Sequence, residues 1–337
     1  MGKLPPELME QYVFKKLGVN DPRVLIGPAL GEDAAVIDIG CGKVLVVHND
    51  AITGAVETLG WLAVNIVAND VAVTGARPSW FLMTLFLPRE ASDVIEKIAT
   101  QVDNAAKELG IAIVGGHTEV TPGVDRPIAG TTAIGIVDRE LIVSTRGAKA
   151  GDFVIMTKSA AIEGTAILCT DFAGILKSKG VPEQVLKVGM GFLKEVSVVK
   201  EALILAEKRF ATAMHDPTEG GLLGGLAEVA YSSGKTIIID EVAIPVAEET
   251  ATVTRALSID PLRLISSGAL IATVPAHLAD EAVETLKKEG IPAGIIGRVE
   301  NYRGCLVELH RVDGCVERLK KVYVADEIYK VWQHGIT

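Results

Sequence analysis

The segment Thr58–Val73 constrains the fold of this chain more than any other stretch of its sequence. Its pattern predicts a helix that is apolar almost all the way round, and the turn Gly75–Pro78 ends it. A helix without a polar face is stable only when it is buried on every side, so other layers of structure must cover it. Polar groups on this helix, those of Asn65, Asn69 and Asp70, then need partners inside the fold.

Short strands and helices alternate along the rest of the chain. The strand candidates are Ala34–Ile39, Lys43–His48, Ser79–Leu87, Ile111–Val114, Thr131–Val137, Phe153–Thr157, Thr236–Asp240, Ala269–Val274, 294–299 and 304–309. The further helix candidates are Pro5–Lys16, Ala91–Leu109, 183–208, 219–233 and 279–289. Several strand pairs lie too close together in sequence for parallel crossovers. This spacing favours an α+β fold with mixed or antiparallel sheets and helices on one face.

The length of the chain and one loosely patterned region predict two domains. Its 337 residues suit about two domains of the usual ~100–200 residues. The pattern becomes polar and glycine-containing at Asp138–Asp152. We therefore predict an N-terminal domain of residues 1–145 and a C-terminal domain of residues 146–337.

Charge and cysteine content exclude several classes of protein. The chain has 33 Lys and Arg residues against 43 Asp and Glu residues, a formal net charge of -10. A general nucleic-acid binder needs a basic face instead, whereas phosphate ligands are compatible with this charge when Mg²⁺ accompanies them. The four cysteines form no C-x-x-C pair. Without a recognisable signal peptide or an apolar run of about 20 residues, we expect a cytoplasmic protein with reduced thiols and no membrane span.

Two acidic residues stand where strands meet turns. Asp33 lies in Gly31–Ala35, directly before a strand, where glycine allows the backbone to approach a ligand and adjacent carboxylates bind a divalent cation. Asp50 follows the strand that ends at His48, a common location for catalytic acids. The alternatives are a solvated acidic turn for Asp33 and a helix N-cap for Asp50.

The polar residues of the buried helix form a third candidate. Asn65 and Asn69 are four residues apart and share one face of the helix, and Asp70 lies about 100° further round it. These groups either bind a metal or ligand, or form hydrogen bonds to another element inside the fold.

A fourth candidate follows the short strand that ends at Val114. Its residues are Gly115, Gly116, His117, Thr118 and Glu119. A buried strand that runs into two glycines and three polar residues predicts a turn facing an anion or a metal. A plain polar turn is the alternative.

The fifth candidate is the run from His215 to Leu222. Asp216 or Thr218 would cap the helix that starts near Glu219, and the free N–H groups at such a start attract phosphate. A capping motif alone is the alternative. The sequence has neither a G-x-x-x-x-G-K-[ST] loop nor a G-x-G-x-x-G fingerprint after a first strand. A bound nucleotide would therefore be held by scattered acids through Mg²⁺.

Together and in this order, the five motifs resemble those of the aminoimidazole ribonucleotide (AIR) synthetase superfamily, over roughly Gly31–Val299. Residues 214–222, Met-His-Asp-Pro-Thr-Glu-Gly-Gly-Leu, are most similar to the Arg-Asp-Pro-Thr-Arg-Gly-Gly-Leu pattern of its hydrogenase maturation branch, HypE. The resemblance implies a two-domain PurM-like fold. In that fold the N-terminal mixed sheet forms a β-barrel across a homodimer, and the C-terminal domain is an α/β sandwich.

The resemblance also implies roles for individual residues. It assigns Mg²⁺ on the ATP phosphates to Asp33, Asp50, Asp70 and Asp216. It assigns the nucleotide site to Asn69, Gly115, Gly116, His117, Thr118 and Glu119. It brings the helix start at Thr218, Gly220 and Gly221 to the phosphates or the substrate, and it makes Asp216, His117 and Thr218 the catalytic candidates.

The activity implied is that of an ATP- and Mg²⁺-dependent enzyme, a HypE-related paralogue that phosphorylates or activates an amide- or carbonyl-type or phosphate acceptor. The acceptor would be a small molecule or a maturation protein, with no nucleic-acid or membrane partner. The alternatives are a phosphotransferase similar to thiamine-monophosphate kinase and a non-catalytic scaffold for a maturation partner.

The sequence departs from its relatives in two places. HypE proteins end in a cysteine-bearing tail, whereas the last cysteine here is Cys315 and the chain ends at Thr337. The terminal thiol chemistry of HypE is therefore not expected. Kinase members usually carry Gly-Gly-Asp-Thr where this chain has His117 in place of the aspartate.

Overall fold

A computed structural model describes residue 2 and the ranges 4–89 and 92–334. These residues form two mixed sheets with helices packed on them, which confirms the α+β class. Residues 335–337 of the tail, and Ala91 at the predicted start of a helix, lie outside the described residues. Within the described ranges, no helix combines the length and apolar character needed to cross a membrane.

The first sheet has six strands in the order β1-β2-β3-β6-β4-β5. They are β1 (Val24–Ile26), β2 (Ala35–Gly40), β3 (Lys43–Ile52), β4 (Arg77–Leu87), β5 (Ala112–Val120) and β6 (Ile128–Asp138). Strands β4 and β5 are parallel and the other neighbours are antiparallel. The mixed character predicted from the spacing of the strands is therefore confirmed.

The second sheet has seven strands in the order β13-β12-β9-β11-β7-β10-β8. They are β7 (Asp152–Thr157), β8 (Ala213–His215), β9 (Lys235–Asp240), β10 (Ile271–Pro275), β11 (Ala293–Asn301), β12 (Val307–His310) and β13 (Val316–Leu319). Only the pairing of β9 with β12 is parallel among these described strands. The division of the chain into 1–145 and 146–337 stays a prediction, although each sheet draws its strands from one side of it.

The α-helices are α1 (Pro6–Leu8), α2 (Leu59–Val73), α3 (Ser92–Leu109), α4 (Ile162–Asp171), α5 (Ala173–Ser178), α6 (Glu183–Gly191), α7 (Val199–Glu207), α8 (Gly221–Ser233), α9 (Glu248–Leu257), α10 (Ala279–Lys288) and α11 (Ile328–His334). A π-helical turn, Met9–Val13, follows α1. Short 3₁₀ turns lie at Arg139–Leu141, Thr145–Gly147, Phe192–Glu195, Glu241–Ala243 and Pro261–Arg263.

Helix α2 is the centre of the molecule. Each of its residues except the half-buried Trp61 is buried, as its apolar sequence predicts. Strands β3 and β6 cover one side of it, and α3 and α7 cover others. Because α7 belongs to the second half of the chain, a single apolar core continues from the first sheet through α2 to Leu203 and Val274.

Three predicted elements differ from the structure. Residues 183–208 form two helices, not one, because α6 ends at Gly191 and the chain makes a 3₁₀ turn before α7. The predicted helix Pro5–Lys16 is reduced to α1 and the π-helical turn. Strand β5 does not stop at Val114 but continues through Gly115 and Gly116 to Val120.

Strand packing requires a glycine at Gly116 of β5. A Cβ atom on Gly116 would lie 2.1 Å from the carbonyl oxygen of Met83 on β4, a distance that no other residue tolerates. The register of β4 and β5 shifts between Phe81 and Leu82, as at a β-bulge. Gly116 therefore marks a close approach of two backbones within a sheet, and the prediction of a turn is wrong.

Asn69 holds the break between α6 and α7 against α2. Its Nδ2 donates to the carbonyl oxygen of Val196 at 2.8 Å, and its Oδ1 accepts from the backbone N–H of Val198 at 2.8 Å. Asn65 instead donates to Trp61 within its own helix. Of the two readings that the sequence left open for these amides, the structure shows the internal one.

We predict that Asn69→Ala lowers the free energy of unfolding by about 1–3 kcal/mol, because it leaves a buried N–H and a buried carbonyl without their partner. Asn65→Ala is the matched control and should cost less, since the Trp61 carbonyl lies inside a helix. Urea unfolding followed by circular dichroism measures both. Equal losses for the two variants would contradict the bridging role of Asn69.

Candidate functional site

Three carboxylates from distant parts of the sequence converge at the junction of the two halves of the chain. Asp33 precedes β2, Asp70 lies on α2, and Asp216 follows β8 directly. One oxygen atom from each lies within 4.8 Å of the others. This group, the inner cluster, is buried, with exposed fractions of 8%, 7% and 1% in that order.

A second group shares Asp70 with the inner cluster. His48, Asp50 and Asp70 also have ligand atoms within 4.8 Å of one another, and we call them the outer cluster. His48 and Asp50 both lie on β3, which continues to Ile52, so the prediction that Asp50 follows the end of this strand is wrong. Asp50 is exposed. All four predicted acids therefore come together, and they line one cavity of about 520 Å³.

Asp216 is costly to ionise in this site. Neither of its carboxylate oxygens has a hydrogen-bond partner among the described residues, and both are buried. Burial, followed by the charges of Asp70 and Asp33, raises the pKa of Asp216 well above its ordinary value. A buried carboxylate in such a position is stable as an anion only when a positive charge is supplied to it.

His215 supplies part of that charge, and the sequence did not single it out as a site residue. Its Nδ1 lies 2.6 Å from Oδ1 of Asp33, and its Nε2 lies 2.9 Å from Oε2 of Glu228. Burial alone would lower the pKa of His215, but Asp33 and then Glu228 raise it well above its ordinary value. Thr145 also donates from its hydroxyl to Asp33 at 3.1 Å. These contacts fix the orientation of Asp33.

The inner cluster fits a hard divalent cation. Carboxylate oxygens are the ligands that Mg²⁺ takes in proteins, commonly one or two of them together with substrate phosphates. The two unpartnered oxygens of Asp216 lie beside two further carboxylates, with one imidazolium to offset them. The potential ligand atoms are therefore all anionic oxygens, and the positive charge nearby does not balance them.

The helix predicted to start near Glu219 begins at Gly221, beside the same cavity. Its N-cap is Gly220 and no side chain among the described residues caps it, so the prediction that Asp216 or Thr218 caps this helix is wrong. Thr218 lines the cavity, whereas Gly220 and Gly221 do not contribute to its wall. Both glycines have positive φ, +85° and +65°. A Cβ atom on Gly221 would lie 2.7 Å from the carbonyl oxygens of Leu262 and Leu264. These glycines are therefore required by the chain path that starts α8.

The remaining predicted nucleotide residues lie elsewhere in this chain. Asn69 faces the α6–α7 break and not the cavity. Gly115, Gly116, His117, Thr118 and Glu119 are exposed on β5, at the edge of the first sheet. His117 contacts Glu119 at 3.1 Å. A single copy of the chain does not bring this group to the acids, because a strand, not a turn, carries it.

Segments from both ends of the described chain complete the cavity wall. Leu4 and Met9 contribute from the start, and Val324, Asp326 and Tyr329 from the end. The Tyr329 hydroxyl donates to Glu219 at 2.7 Å. Burial raises the pKa of Asp326 to about 6, against hydrogen bonds from the backbone that lower it.

The architecture and the cavity define a two-domain α+β protein with a carboxylate site between its sheets. The chain belongs to the AIR synthase related protein family. The model of that family's N-terminal domain matches residues 31–137, and the model of its C-terminal domain matches residues 149–308.

Similar proteins carry hydrogenase maturation names. A Methanocaldococcus jannaschii protein assigned to hydrogenase expression and formation is 30% identical and covers 91% of each chain. The carbamoyl dehydratase HypE of Azotobacter vinelandii is 32% identical, over 72% of this chain and 69% of its own. A crystal structure of the hydrogenase maturation protein HypE in complex with ATP has a TM-score of 0.70 at 24% identity, over 94% of both chains. The PurM-like fold predicted from the motifs is confirmed.

Glu163, in the first turn of α4, generates a prediction about pH. Burial, with the charge of Asp326 adding to it, raises the pKa of Glu163 from its ordinary 4.5 to about 7. Between these values the folded protein keeps a proton that the unfolded chain has lost, so stability falls as pH rises. Glu163→Gln should remove a fall of about 3 kcal/mol.

Urea unfolding at pH 5 and pH 8 measures that difference. The exposed Glu183, replaced by Gln, is the matched control and should keep the wild-type dependence on pH. Parallel profiles for wild type and Glu163→Gln would show that the buried carboxyl does not hold its proton.

Proposed function

We propose that this chain is an ATP- and Mg²⁺-dependent enzyme that phosphorylates an acceptor or activates an amide- or carbonyl-type oxygen with phosphate. The observation that carries the proposal is the inner cluster, in which the buried oxygens of Asp216 meet Asp33 and Asp70 at the base of a large cavity. A scaffold has no need to bury carboxylates that repel one another.

The relatives support the same activity. Carbamoyl dehydratase HypE is an enzyme, and the name describes removal of water from a carbamoyl group, whose oxygen is of the amide type. A HypE protein of the same fold binds ATP. We propose by extension that the acceptor here is an amide- or carbonyl-bearing group on a small molecule or a maturation protein.

The residues of the cavity have distinct tasks in this proposal. Asp33, Asp70 and Asp216 would hold Mg²⁺, with Asp50 beside them. When bound, Mg²⁺ neutralises the charge of the ATP phosphates and of the carboxylates. His215 and Thr145 keep Asp33 in place, so the acid needs no rearrangement when a ligand arrives.

Thr218, which precedes α8, would contribute to the phosphate site from the other side of Asp216 in sequence. Thr218 stands at the cavity edge just before this 13-residue helix, whose N-terminus carries partial positive charge. Phosphoryl transfer depends mainly on positioning and charge neutralisation, and a helix start beside the acids would contribute to both.

A homodimer is a further part of the proposal. Strand β5 is an exposed sheet edge, and apolar side chains are exposed on it, among them Ile113, Val114 and Val120. Such an edge commonly pairs with or is covered by another surface. We propose that the first sheets of two copies join there, and that this brings His117 and Thr118 to a site shared with the partner copy. The four free thiols fit a cytoplasmic location.

We predict that Mg²⁺-ATP raises the melting temperature of the wild-type protein. A ligand at about 100 times its Kd adds about 2.7 kcal/mol. Asp216→Asn should lose this shift and, in metal-free buffer, should melt at a higher temperature than wild type because repulsion from Asp33 and Asp70 is removed. Calorimetry with ATP plus Mg²⁺, and with EDTA, measures both effects.

The control is Asp103→Asn, an exposed residue of α3 paired with Lys107, which should retain the shift. No shift in wild type at millimolar Mg²⁺-ATP would overturn the proposed function. ADP release against carbamoylated peptides and thiamine monophosphate then identifies the acceptor, and stimulation by thiamine monophosphate alone would favour the kinase alternative.

The dimer generates its own prediction. Val114→Lys places a charge on the exposed edge of β5 and should convert a dimer to a monomer in light scattering after gel filtration, because the charge cannot be buried in an apolar interface. Val242→Lys, at a still more exposed site in the second half of the chain, should leave the mass unchanged. A wild-type protein that is monomeric at micromolar concentration would refute the interface.

A further inference from the structure

His48 has no task in the proposed function, although it lies beside Asp70. We propose that His48 is a metal ligand, and that it makes the outer cluster a mixed nitrogen–oxygen site for a first-row transition-metal dication such as Mn²⁺. The inference rests on the proposed function only in that Asp70 is shared between the two clusters.

The strand geometry directs His48 to the acids. Side chains alternate across a strand, so Val44, Val46, His48 and Asp50 of β3 point to one face. Val44 and Val46 are fully buried on that face. It is the face that α2 covers, and α2 carries Asp70. His48 therefore lies on the same face as the core residues Val44 and Val46, at the boundary between the core and the cavity.

The distances suit metal ligation. Nε2 of His48 lies 3.4 Å from Oδ2 of Asp70, and the side chain of His48 is 23% exposed. Asp50 adds a carboxylate oxygen to the same group. All three residues line the cavity, so water or a phosphate oxygen could supply further ligands.

An observation outside the outer cluster points to a cation here. Asp216 is 1% exposed, and both of its oxygens lie at the cavity without a hydrogen-bond partner among the described residues. Because Asp70 belongs to both clusters, it would bridge the cation held with Asp216 and the one held with His48. Two adjacent dications would also offset the summed charge of the four carboxylates.

The chemistry of the donors separates the two clusters. The inner cluster offers only carboxylate oxygens, which suit Mg²⁺. An imidazole nitrogen is a poor ligand for Mg²⁺ but a good one for transition metals, whose affinities rise from Mn²⁺ towards Cu²⁺. The outer cluster should therefore discriminate against Mg²⁺, while the inner cluster should not.

Another histidine of the chain, His310, can be compared with His48. His310 also contacts a carboxylate, Oε1 of Glu308 at 3.2 Å, but it is exposed on β12 and far from the cavity in the fold. In the part of the chain that the structure describes, no third metal-ligating side chain completes a group around His310. His310 therefore represents a histidine–carboxylate pair that lacks the third ligand of the outer cluster.

The test uses Mn²⁺ at half an equivalent in the presence of millimolar Mg²⁺, which occupies the inner cluster. Electron spin-echo spectroscopy of the bound Mn²⁺ should show coupling to a ¹⁴N nucleus. Protein grown with ¹⁵N-histidine should replace it with ¹⁵N coupling, a result that needs no variant. Absence of nitrogen coupling in the wild-type protein would overturn the inference.

Substitutions of the two histidines provide a second test. His48→Gln should lose the nitrogen coupling and weaken Mn²⁺ binding at least about tenfold, with Mg²⁺ affinity changed by less than about threefold. His310→Gln should leave the coupling and both affinities as in wild type. Equal weakening of Mn²⁺ and Mg²⁺ by His48→Gln would refute metal selection by His48.

The outcome is separable from that of the proposed function. Nitrogen coupling without any thermal shift by Mg²⁺-ATP would keep the metal site and reject the ATP-dependent activity. A thermal shift without nitrogen coupling would keep the activity and reject the site.

Discussion

The complete burial of α2 is the constraint on which the rest of the structure depends. An apolar helix cannot face water on any side, and the first sheet covers only part of it. The remaining surface is covered by α3 and by α7, which comes from the second half of the chain. The two halves are therefore joined through the core, and Asp70 is carried by α2 into their junction.

The same burial explains why the site is electrostatically costly and yet ordered. Asp70 enters a region where Asp33 and Asp216 are also withdrawn from water, and the charges of Asp70 and Asp33 add to the cost of ionising Asp216. His215 lowers that cost through Asp33, and Glu228 on α8 holds the imidazolium from its other side. A cavity with excess negative charge and fixed side chains favours the binding of cations, because a bound cation would supply the missing positive charge.

Much of this arrangement could be predicted from the sequence, and the reason is local. Hydrophobic periodicity identified α2, and turn residues identified β2 and β3, so Asp70 and Asp33 were placed correctly relative to their elements, whereas Asp50 lies within β3 and not after it. Glycines gave a false signal at β5, because a close approach of two strands and a turn both require glycine at Gly116. The break before α7 was missed since it depends on a contact from Asn69, about 130 residues away in sequence.

The site residues that sequence patterns did not identify differ from those that the patterns misplaced. His215 and Thr145 act on Asp33 through side-chain contacts across long sequence separations, and no local pattern records such pairs. In contrast, Gly115–Glu119 is a local pattern whose place in the fold is an exposed edge. A polar motif on the outer strand of a sheet acquires a partner only from outside the chain. The cavity acids and the β5 residues therefore belong to one site only if the assembly, and not the single chain, is the unit that binds the nucleotide.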